Sequence, residues 1–422
     1  MRTKAHIVIF SLFICSSGFA QLSIEACHEK AKANYPLINQ YDLIEKSKQY
    51  SLENIAKNYL PQIALNGQAT YQSDVTKIPV DFASLGLPIE IPEMSKDQYK
   101  AAIDVSQIIW DGGITNSQKE ITKAASEIEK KRVDVSLYAI EEKVTQLFFG
   151  ILAIDARLKV LDLKEADMIA NQETVESMFK NGMAMQTSLD QIHVEILNVE
   201  QSRTELLWMK NAYSKMLSLF IHEDISENTV LQKPDDNYAR SNDIARPELS
   251  LFDSQIALYN AQNSAITAKN MPRLSLFVQG GYGRPGLNML EDEFKFFGIG
   301  GIRLTWNFGN LYTKNNEKRL LGINKSNVEV QRATFLFNTD LQSSQELAEI
   351  EKYRSLLAKD DEIIALRNRV KRASESMFRN GVYQTNELIR DINAEEQARQ
   401  SKAIHEIQYL LNIHNYTHTR GK

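Results

Sequence analysis

The chain has 422 residues, 43% of them apolar and 24% charged, so it can bury a large core and is long enough for two domains or more. Its formal net charge of -5 excludes the strongly basic surface expected of a nucleic-acid-binding protein.

The first 20 residues, MRTKAHIVIFSLFICSSGFA, have a basic start, a short apolar run and small residues at the end. This pattern predicts a secretory signal peptide (1–20) that is cut after Ala20. Cys15 does not follow small residues, so a lipoprotein signal is not favoured. After cleavage only Cys27 remains, which excludes an intrachain disulfide and a thiolate metal site. No other segment is apolar for long enough to form a transmembrane helix.

Two pairs of segments alternate between apolar and polar residues, which is typical of β-strands with one apolar face. The predicted strands are about 61–73 and 98–110 in the first half, and about 272–283 and 295–308 in the second. Each pair flanks a loop, at about 74–97 and about 284–293. Aromatic residues near the strand ends suit the interfaces of a membrane.

A long proline-free stretch follows each strand pair. In the first, apolar residues recur in a heptad pattern, which indicates a long helix packed on another helix. These residues are Leu137, Ile140, Val144, Leu147, Ile151, Ile154, Leu158 and Leu161. A helix over about 114–178 would be roughly 95 Å long, longer than helices in ordinary globular domains. Helical spacing resumes at Leu189, which predicts a helical hairpin over about 114–220.

The heptapeptide ESMFKNG at 176–182 returns as ESMFRNG at 375–381. Asn-Gly after a periodic run is a helix stop and turn signal, so both copies mark hairpin tips. The second hairpin is predicted over about 311–417, with a return helix whose middle is more polar. The chain therefore reads as two tandem repeats of helix, strand, strand and long helical hairpin, over 21–220 and 246–418. Residues 221–245 form a polar connector.

The expected fold is mostly α, with a membrane β-barrel portion. Four strands cannot close a barrel, and an open strand edge cannot persist in lipid. If the strands lie in a membrane, several chains must share one barrel. The alternation alone also fits a soluble antiparallel sheet that covers a core.

At this point the chain resembles the TolC-like outer-membrane efflux proteins, over nearly the whole mature sequence. The resemblance lies in the order and spacing of several motifs. They are the opening LSIEACHEKAKANYPLI, Leu60-Pro61, Trp110-Asp111-Gly112-Gly113, Thr305-Trp306-Asn307 and the two Phe-x-x-Gly tips. It implies a homotrimer with a shared twelve-stranded barrel in the outer membrane of a Gram-negative bacterium and an α-helical tunnel across the periplasm. It also implies a passive exit duct that works with a periplasmic adaptor protein and an inner-membrane pump of RND or ABC type, for efflux of small molecules or type I protein secretion.

In this family the hairpin tips receive the helical hairpin of the adaptor. The matching residues are Phe179, Asn181, Gly182, Met183, Phe378, Asn380, Gly381 and Val382. The structural alternative is that Asn-Gly only turns the chain and that the Phe side chains pack the hairpin ends.

The family often places acidic residues just after the second tip, where Glu387 matches. In a trimer one carboxylate per chain becomes a ring of three, which favours cations. A second family acid would fall at Arg390, which is a base here with Asp391 beside it, so a latch between chains through these residues is an alternative to a second acidic ring. Asp190 in the first hairpin is a further candidate. A solvated helix face with ordinary charge pairs is the structural alternative.

No catalytic residue, cofactor or metal site is predicted. His414 and His418 have the i,i+4 spacing of a metal pair, but a frayed C-terminal tail is favoured because no third ligand is evident. There is no phosphate-binding glycine loop. The main alternative to a channel is a non-conducting periplasmic coiled-coil scaffold or adaptor, which would not need two strand pairs of membrane length.

Overall fold

The computed structural model describes residues 22–76, 86, 94–226, 229–240 and 243–422. The predicted signal peptide and most of the predicted loop 74–97 lie outside these residues. The elements in chain order are α1 (Ile24–Asn34), α2 (Gln40–Ala56), β1 (Gln62–Tyr71), β2 (Asp97–Trp110), α3 (Ile114–Lys180), α4 (Gln186–Ile221), α5 (Pro247–Lys269), β3 (Arg273–Arg284), β4 (Lys295–Thr305), α6 (Asn310–Arg379) and α7 (Thr385–Arg420).

The predicted mostly helical fold with two strand pairs is confirmed, because helix, strand pair and long helical hairpin occur twice in this order. One strand is shorter than expected, since β4 ends at Thr305 and not near 308. The side chain of Asn307 accepts a hydrogen bond from the backbone N–H of Gly309 at 3.0 Å. This local turn ends the extended backbone just before α6 begins.

The chain divides into two compact units. The first holds the described parts of Met1–Asn39, Val133–Pro247 and Thr334–Lys422. The second holds those of Gln40–Arg132 and Glu248–Ala333, which include all four strands. The helices α3 and α6 contribute residues to both units.

In the second unit the strands form one antiparallel sheet of order β1-β2-β3-β4. The register pairs Leu65 with Ile103, Val105 with Val278, and Leu276 with Ile302. Paired residues share a face, so the apolar positions of all four strands coincide. We call this the apolar face: Ile63, Leu65, Tyr71, Tyr99, Ile103, Val105, Leu276, Val278, Tyr282, Phe296, Ile302 and Leu304. Large side chains on it are exposed, and Leu65 is 78% exposed.

The opposite side, which we call the polar face, bears the alternate residues of each strand: Gln62, Asn66, Gln68, Thr70, Lys100, Asp104, Arg273, Ser275, Phe277, Gln279, Phe297 and Arg303. Each of the two outer strands, β1 and β4, pairs with one neighbour among the described residues. The sheet therefore has two open edges and an uncovered apolar surface.

The start of α3 explains the Trp-Asp-Gly-Gly motif. One carboxylate oxygen of Asp111 accepts the backbone N–H of Gly113 at 2.9 Å, and the other accepts that of Thr115 at 2.7 Å. The hydroxyl of Tyr59 also donates to Asp111, at 2.9 Å. The nearly buried carboxylate thus satisfies backbone donors that the first helical turn leaves free.

In the first unit the predicted heptad stripe of α3 forms the core. Seven of its eight members are buried, and Leu158 is partly buried against them. Helices α1, α4 and α7 pack on this stripe through residues that include Cys27, Leu217 and Ile407. Burial raises the pKa of the Cys27 thiol to about 12, so it is a core residue without thiolate character.

The long helices also carry large apolar side chains that stay exposed among the described residues. On α4 these are Val194, Leu197, Leu207, Trp208 and Leu219, and on α6 of the first unit they are Phe337, Leu341, Ile363, Leu366 and Val370. No helix in the described ranges is both long enough and apolar enough to cross a bilayer.

Candidate functional site: the helical hairpin tips

Both hairpin tips have the same backbone geometry. At the first, the N–H of Gly182 donates to the carbonyl of Phe179 at 2.9 Å, and the N–H of Met183 donates to that of Met178 at 2.8 Å. At the second, the equivalent bonds of Gly381 and Val382 measure 3.0 and 2.9 Å. This is a Schellman motif, which requires a left-handed residue after the helix. Gly182 and Gly381 supply it with φ values of 72° and 73°.

We expect Gly381→Val to destabilise the second hairpin by about 1–2 kcal/mol, because a β-branched residue is strained at positive φ. No atom lies within 4 Å of the position that a Cβ would take, so the loss reports backbone strain and not a clash. Thermal unfolding followed by circular dichroism measures it. Gly381→Asn is the control, since Asn tolerates this conformation. Equal effects of Val and Asn would argue against this explanation.

The two phenylalanines of the repeated heptapeptide have different surroundings. Phe378 is 3% exposed and packs in a cluster of residues from α3, α4, α6 and α7. The other buried members are Met168, Val175, Ile192, Leu388 and Ile392. Phe179, at the same position of the first tip, is 40% exposed. The hairpins of one chain thus share a small core at their ends, and Phe378 belongs to it while Phe179 faces outward.

The remaining tip residues are accessible. Met183 is 65% and Val382 is 70% exposed, and the intervening Asn and Gly residues are exposed as well. The side-chain amides of Asn181 and Asn380 donate to the carbonyls of Ser177 and Ser376, at 2.9 and 2.8 Å. Each tip therefore combines a rigid turn with exposed apolar surface, Met183 and Met185 at the first and Val382 at the second.

Glu387 lies in the first turn of α7 and belongs to a capping box. Its carboxylate accepts the backbone N–H of Gln384 at 3.0 Å, and the Gln384 side chain caps the helix in return. This arrangement stabilises the start of the helix. The residue is half-buried, and its charge lies at the helix N-terminus, where a carboxylate is favourable.

The other three candidate residues differ in burial, and each has its partner within the same chain. Asp391 is buried within the hairpin and accepts the Ser374 hydroxyl at 2.5 Å. Arg390 is exposed, with its Nε atom 3.5 Å from an oxygen of Asp391 in the same chain. Asp190 is exposed on α4 and accepts the amide of Gln186 at 3.0 Å. A latch between chains through Arg390 stays a prediction.

Sequence reasoning missed a buried ionic network near the tips. The Lys371 ammonium on α6 lies 2.6 Å from an oxygen of Asp167 on α3 and 2.7 Å from one of Glu395 on α7. Glu395, 2% exposed, also accepts hydrogen bonds from Asn368 at 2.9 Å and Arg399 at 2.6 Å. Lys371 thus links the two hairpins of one chain. A signal existed, because Glu395 continues the helical spacing of Leu388 and Ile392, and Lys371 lies seven residues before Phe378, where apolar residues are expected.

The frayed C-terminal tail expected from the sequence is wrong. Helix α7 continues to Arg420, and Ile413, Tyr416 and Thr419 are buried in its last turns. His414 and His418 line a cavity of about 460 Å³, together with His28 of α1. Packing against α1 and α3, far away in sequence, orders this segment. Across the part of the chain that the structure describes, no group of three His, Cys, Asp or Glu residues is arranged to hold a metal ion.

The three histidines are neutral bases in a buried setting. Burial lowers the pKa of His28 to about 4, and it lowers the pKa values of His414 and His418 as well. The Nε2 atom of His28 lies 2.9 Å from the hydroxyl of Thr145, and that of His418 lies 3.5 Å from a carboxylate oxygen of Glu141. The cluster therefore favours the uncharged imidazole.

We expect the protein to lose stability as the pH falls from about 6.5 to about 4. In this window the unfolded chain binds more protons at His28 than the folded chain does, and the lowered pKa values of His414 and His418 act in the same direction, so stability decreases with each proton taken up. Unfolding midpoints at several pH values measure the effect. His28→Gln, which can still contact Thr145, should make the curve flatter. An unchanged slope in this variant would rule out His28 as a contributor.

The described features together define a fold: a four-stranded sheet with an uncovered apolar face, followed in each half by a long helical hairpin. This is the fold of outer-membrane channel proteins. The chain is similar to the outer-membrane protein VceC of Vibrio cholerae, with 11% identity, a TM-score of 0.65, and coverage of 94% of this chain and 96% of that one. It is also similar to CusC, whose structures concern transmembrane channel formation, with 13% identity, a TM-score of 0.67 and coverage of 94% and 92%.

A third similar structure is the CmeC outer-membrane channel of Campylobacter jejuni, with 12% identity, a TM-score of 0.63 and coverage of 94% and 85%. No protein-family model and no curated protein matches the chain. The resemblance to the TolC-like fold is therefore confirmed.

Proposed function

We propose that the chain is one subunit of a homotrimeric channel in the outer membrane of a Gram-negative bacterium. Three copies contribute four strands each to one twelve-stranded barrel, and their hairpins form a periplasmic helical tunnel. The channel is a passive exit duct, to which a periplasmic adaptor and an inner-membrane pump of RND or ABC type supply the cargo and the energy. The cargo is either small molecules or a protein secreted by a type I system.

The observation that carries this proposal is the exposed apolar face of a sheet with two open edges. Strands of 10 to 14 residues are long enough to cross a bilayer when tilted. In lipid, unpaired backbone groups at an edge cost several kcal/mol each, so an open four-stranded sheet is excluded there. Pairing β4 of one copy with β1 of the next removes every edge. Lipid then covers the apolar face.

The uncovered apolar residues of α4 and α6 support the same assembly. Apolar residues at helical spacing favour packing against another helix. Neighbouring copies supply such helices in a closed ring. A monomer would leave Trp208, Leu219 and Phe337 in water, together with the rest of these exposed residues.

The tips are the proposed contact sites for the adaptor. Met183 and Val382 are exposed apolar side chains at the two tips, and Phe179 and Met185 add two more in the first hairpin. The two glycines and the two asparagines hold the shape of the turns. Phe378 is buried in the core below the second tip and supports it by packing. The proposed repeats, 21–220 and 246–418, each provide one tip.

The first experiment is to extract the protein from outer membranes in detergent, determine its oligomeric mass and record its conductance in a planar bilayer. A trimer with discrete conductance steps supports the proposal. Recovery in the soluble periplasmic fraction as a monomer or dimer without conductance would support the non-conducting scaffold instead.

In such a channel, Glu387→Gln is expected to reduce permeability to cations relative to anions, because three carboxylates are removed from the tunnel entrance. Gln can still serve in the capping box, so the variant separates charge from helix stability. The reversal potential in a salt gradient measures the change. Glu387→Ala removes both the charge and the capping hydrogen bond, so it should in addition lower the unfolding temperature. An unchanged reversal potential in Glu387→Gln would count against a role of this carboxylate in selectivity.

A further inference from the structure

The polar face of the sheet carries more positive than negative charge. Lys100, Arg273 and Arg303 lie on it by register, against the single carboxylate of Asp104 within the strands. Lys100 and Arg303 are exposed. Among the described residues, the strands thus place three cationic groups and one anionic group on the body of this face.

The other charged strand residues lie at the margin of the sheet and form ion pairs there. Lys295 contacts Glu291 and lies 3.7 Å from Glu293, so loop carboxylates balance its charge. Arg284 and Asp97 pair with each other at 2.5 Å, on the other side of the sheet. The positive excess therefore belongs to the body of the polar face.

Asp104 offsets only part of this positive charge, although Lys100 and Arg303 both attract its carboxylate electrostatically. Its two carboxylate oxygens accept hydrogen bonds from the side-chain amides of Asn66 and Gln279. The Lys100 ammonium instead donates to the amide oxygen of Gln279 at 3.0 Å. The carboxylate is hydrogen-bonded by neutral amides, and one carboxylate against three cations leaves a net positive charge for a solute to meet.

Two of these three cations, Lys100 and Arg303, lie over aromatic rings. The Lys100 ammonium is 4.8 Å from the ring centre of Phe297, and the Arg303 guanidinium is 4.6 Å from that of Phe277. Such cation–π contacts hold the charge in place beside an apolar surface.

Glycines on the neighbouring strand make room for these rings. A Cβ at Gly281 would lie 2.6 Å from the Phe297 ring, and one at Gly301 would lie 3.2 Å from the Phe277 ring. The rings therefore lie across the sheet, where they present apolar surface beside each cation. This arrangement occurs twice on the polar face.

We infer that the polar face lines the passage as a selective surface for organic anions; this inference rests on the proposed channel function. A carboxylate or sulfonate binds the guanidinium of Arg303 or the ammonium of Lys100, and its apolar part contacts the adjacent phenylalanine. In a trimer each cation recurs three times around the lumen, and rings of Lys and Arg favour anions.

The test measures reversal potentials of the channel in gradients of potassium chloride and of potassium benzoate. In Arg303→Gln and Lys100→Gln, the permeability to the anion relative to potassium should fall by about twofold or more, because each change removes a ring of three charges. The decrease should be larger for benzoate than for chloride. Each variant is compared with the unchanged channel, and both contain Glu387. The cation preference proposed for Glu387 therefore cancels in the comparison.

Two control variants test whether the effect depends on the charge of the side chain and on its place on the polar face. Arg303→Lys keeps the charge and should retain the chloride permeability ratio. Lys46→Gln removes an exposed lysine of α2 that pairs with Asp42, and it should leave both ratios unchanged.

If discrete channels form but their anion-to-potassium permeability ratios do not change in Arg303→Gln or Lys100→Gln, this inference is wrong and the proposed channel function stands. An equal response of the two anions would contradict selection for organic anions. A preparation without conductance would overturn the proposed function and this inference together.

Discussion

Leu65→Arg is expected to prevent assembly in the outer membrane, whereas Ala64→Arg should be tolerated. Leu65 lies on the apolar face, is 78% exposed and pairs with Ile103. An arginine that faces lipid costs about 2–4 kcal/mol per chain near the middle of a bilayer. A trimer would carry this cost three times.

Ala64 is the matched control because it is the adjacent residue of β1 on the opposite face. The register places it opposite Asp104, so an arginine there gains a carboxylate neighbour. Membrane fractionation and the oligomeric mass in detergent measure both variants. If Leu65→Arg assembled as well as Ala64→Arg, lipid could not be what covers the apolar face.

Lys371→Met is expected to lower the free energy of unfolding by about 3 kcal/mol, because it leaves the buried carboxylate of Glu395 with only part of its partners. The same change removes the contact with Asp167. Because the Asp167 carboxylate is more exposed to water, losing this contact destabilises the protein less. The double variant Lys371→Met/Glu395→Leu should recover much of the loss, since an apolar pair replaces the buried charges. Denaturant unfolding followed by helical circular dichroism measures each change.

Lys352→Met is the matched control for this series. Lys352 lies on the same helix and pairs with Glu349, but both side chains are exposed, so a much smaller loss of stability is expected. Equal losses in Lys371→Met and Lys352→Met would show that the buried network contributes no more than a surface pair.

Acid should weaken the same network. Burial by itself would raise the pKa of Glu395, but hydrogen bonds from its three donors outweigh burial and lower the pKa to about 2. A lowered carboxyl pKa contributes stability that is complete above about pH 4.5 and is lost as the pH falls towards 2. This window lies below that of the histidines, so the two contributions separate on a pH scale.

The long helices and the strands could be predicted because their information is local. A heptad stripe on α3 and alternation in β1 to β4 repeat within a few residues, and the Asn-Gly pairs mark the turns. The end of β4 was missed because the hydrogen bond from Gly309 to Asn307 replaces strand geometry there.

The candidate site was less predictable because its contacts join distant segments. Lys371 and Asp167 are 204 positions apart, and the sequence around either residue does not indicate that the other is its partner. In the same way, His28 and the two C-terminal histidines meet only because α1 and α7 line one cavity. The repeated heptapeptide predicted two equal tips, but the packing of Phe378 depends on residues from four helices.

The different burial of Phe179 and Phe378 has an evolutionary consequence. A duplicated segment begins with two copies under the same constraint. Position 378 now fits a close-packed core, so a change in its volume requires compensating changes in several neighbours. Position 179 touches fewer neighbours and can change alone. The first tip is therefore free to diverge with whatever protein meets it, while the second is held by the chain's own interior.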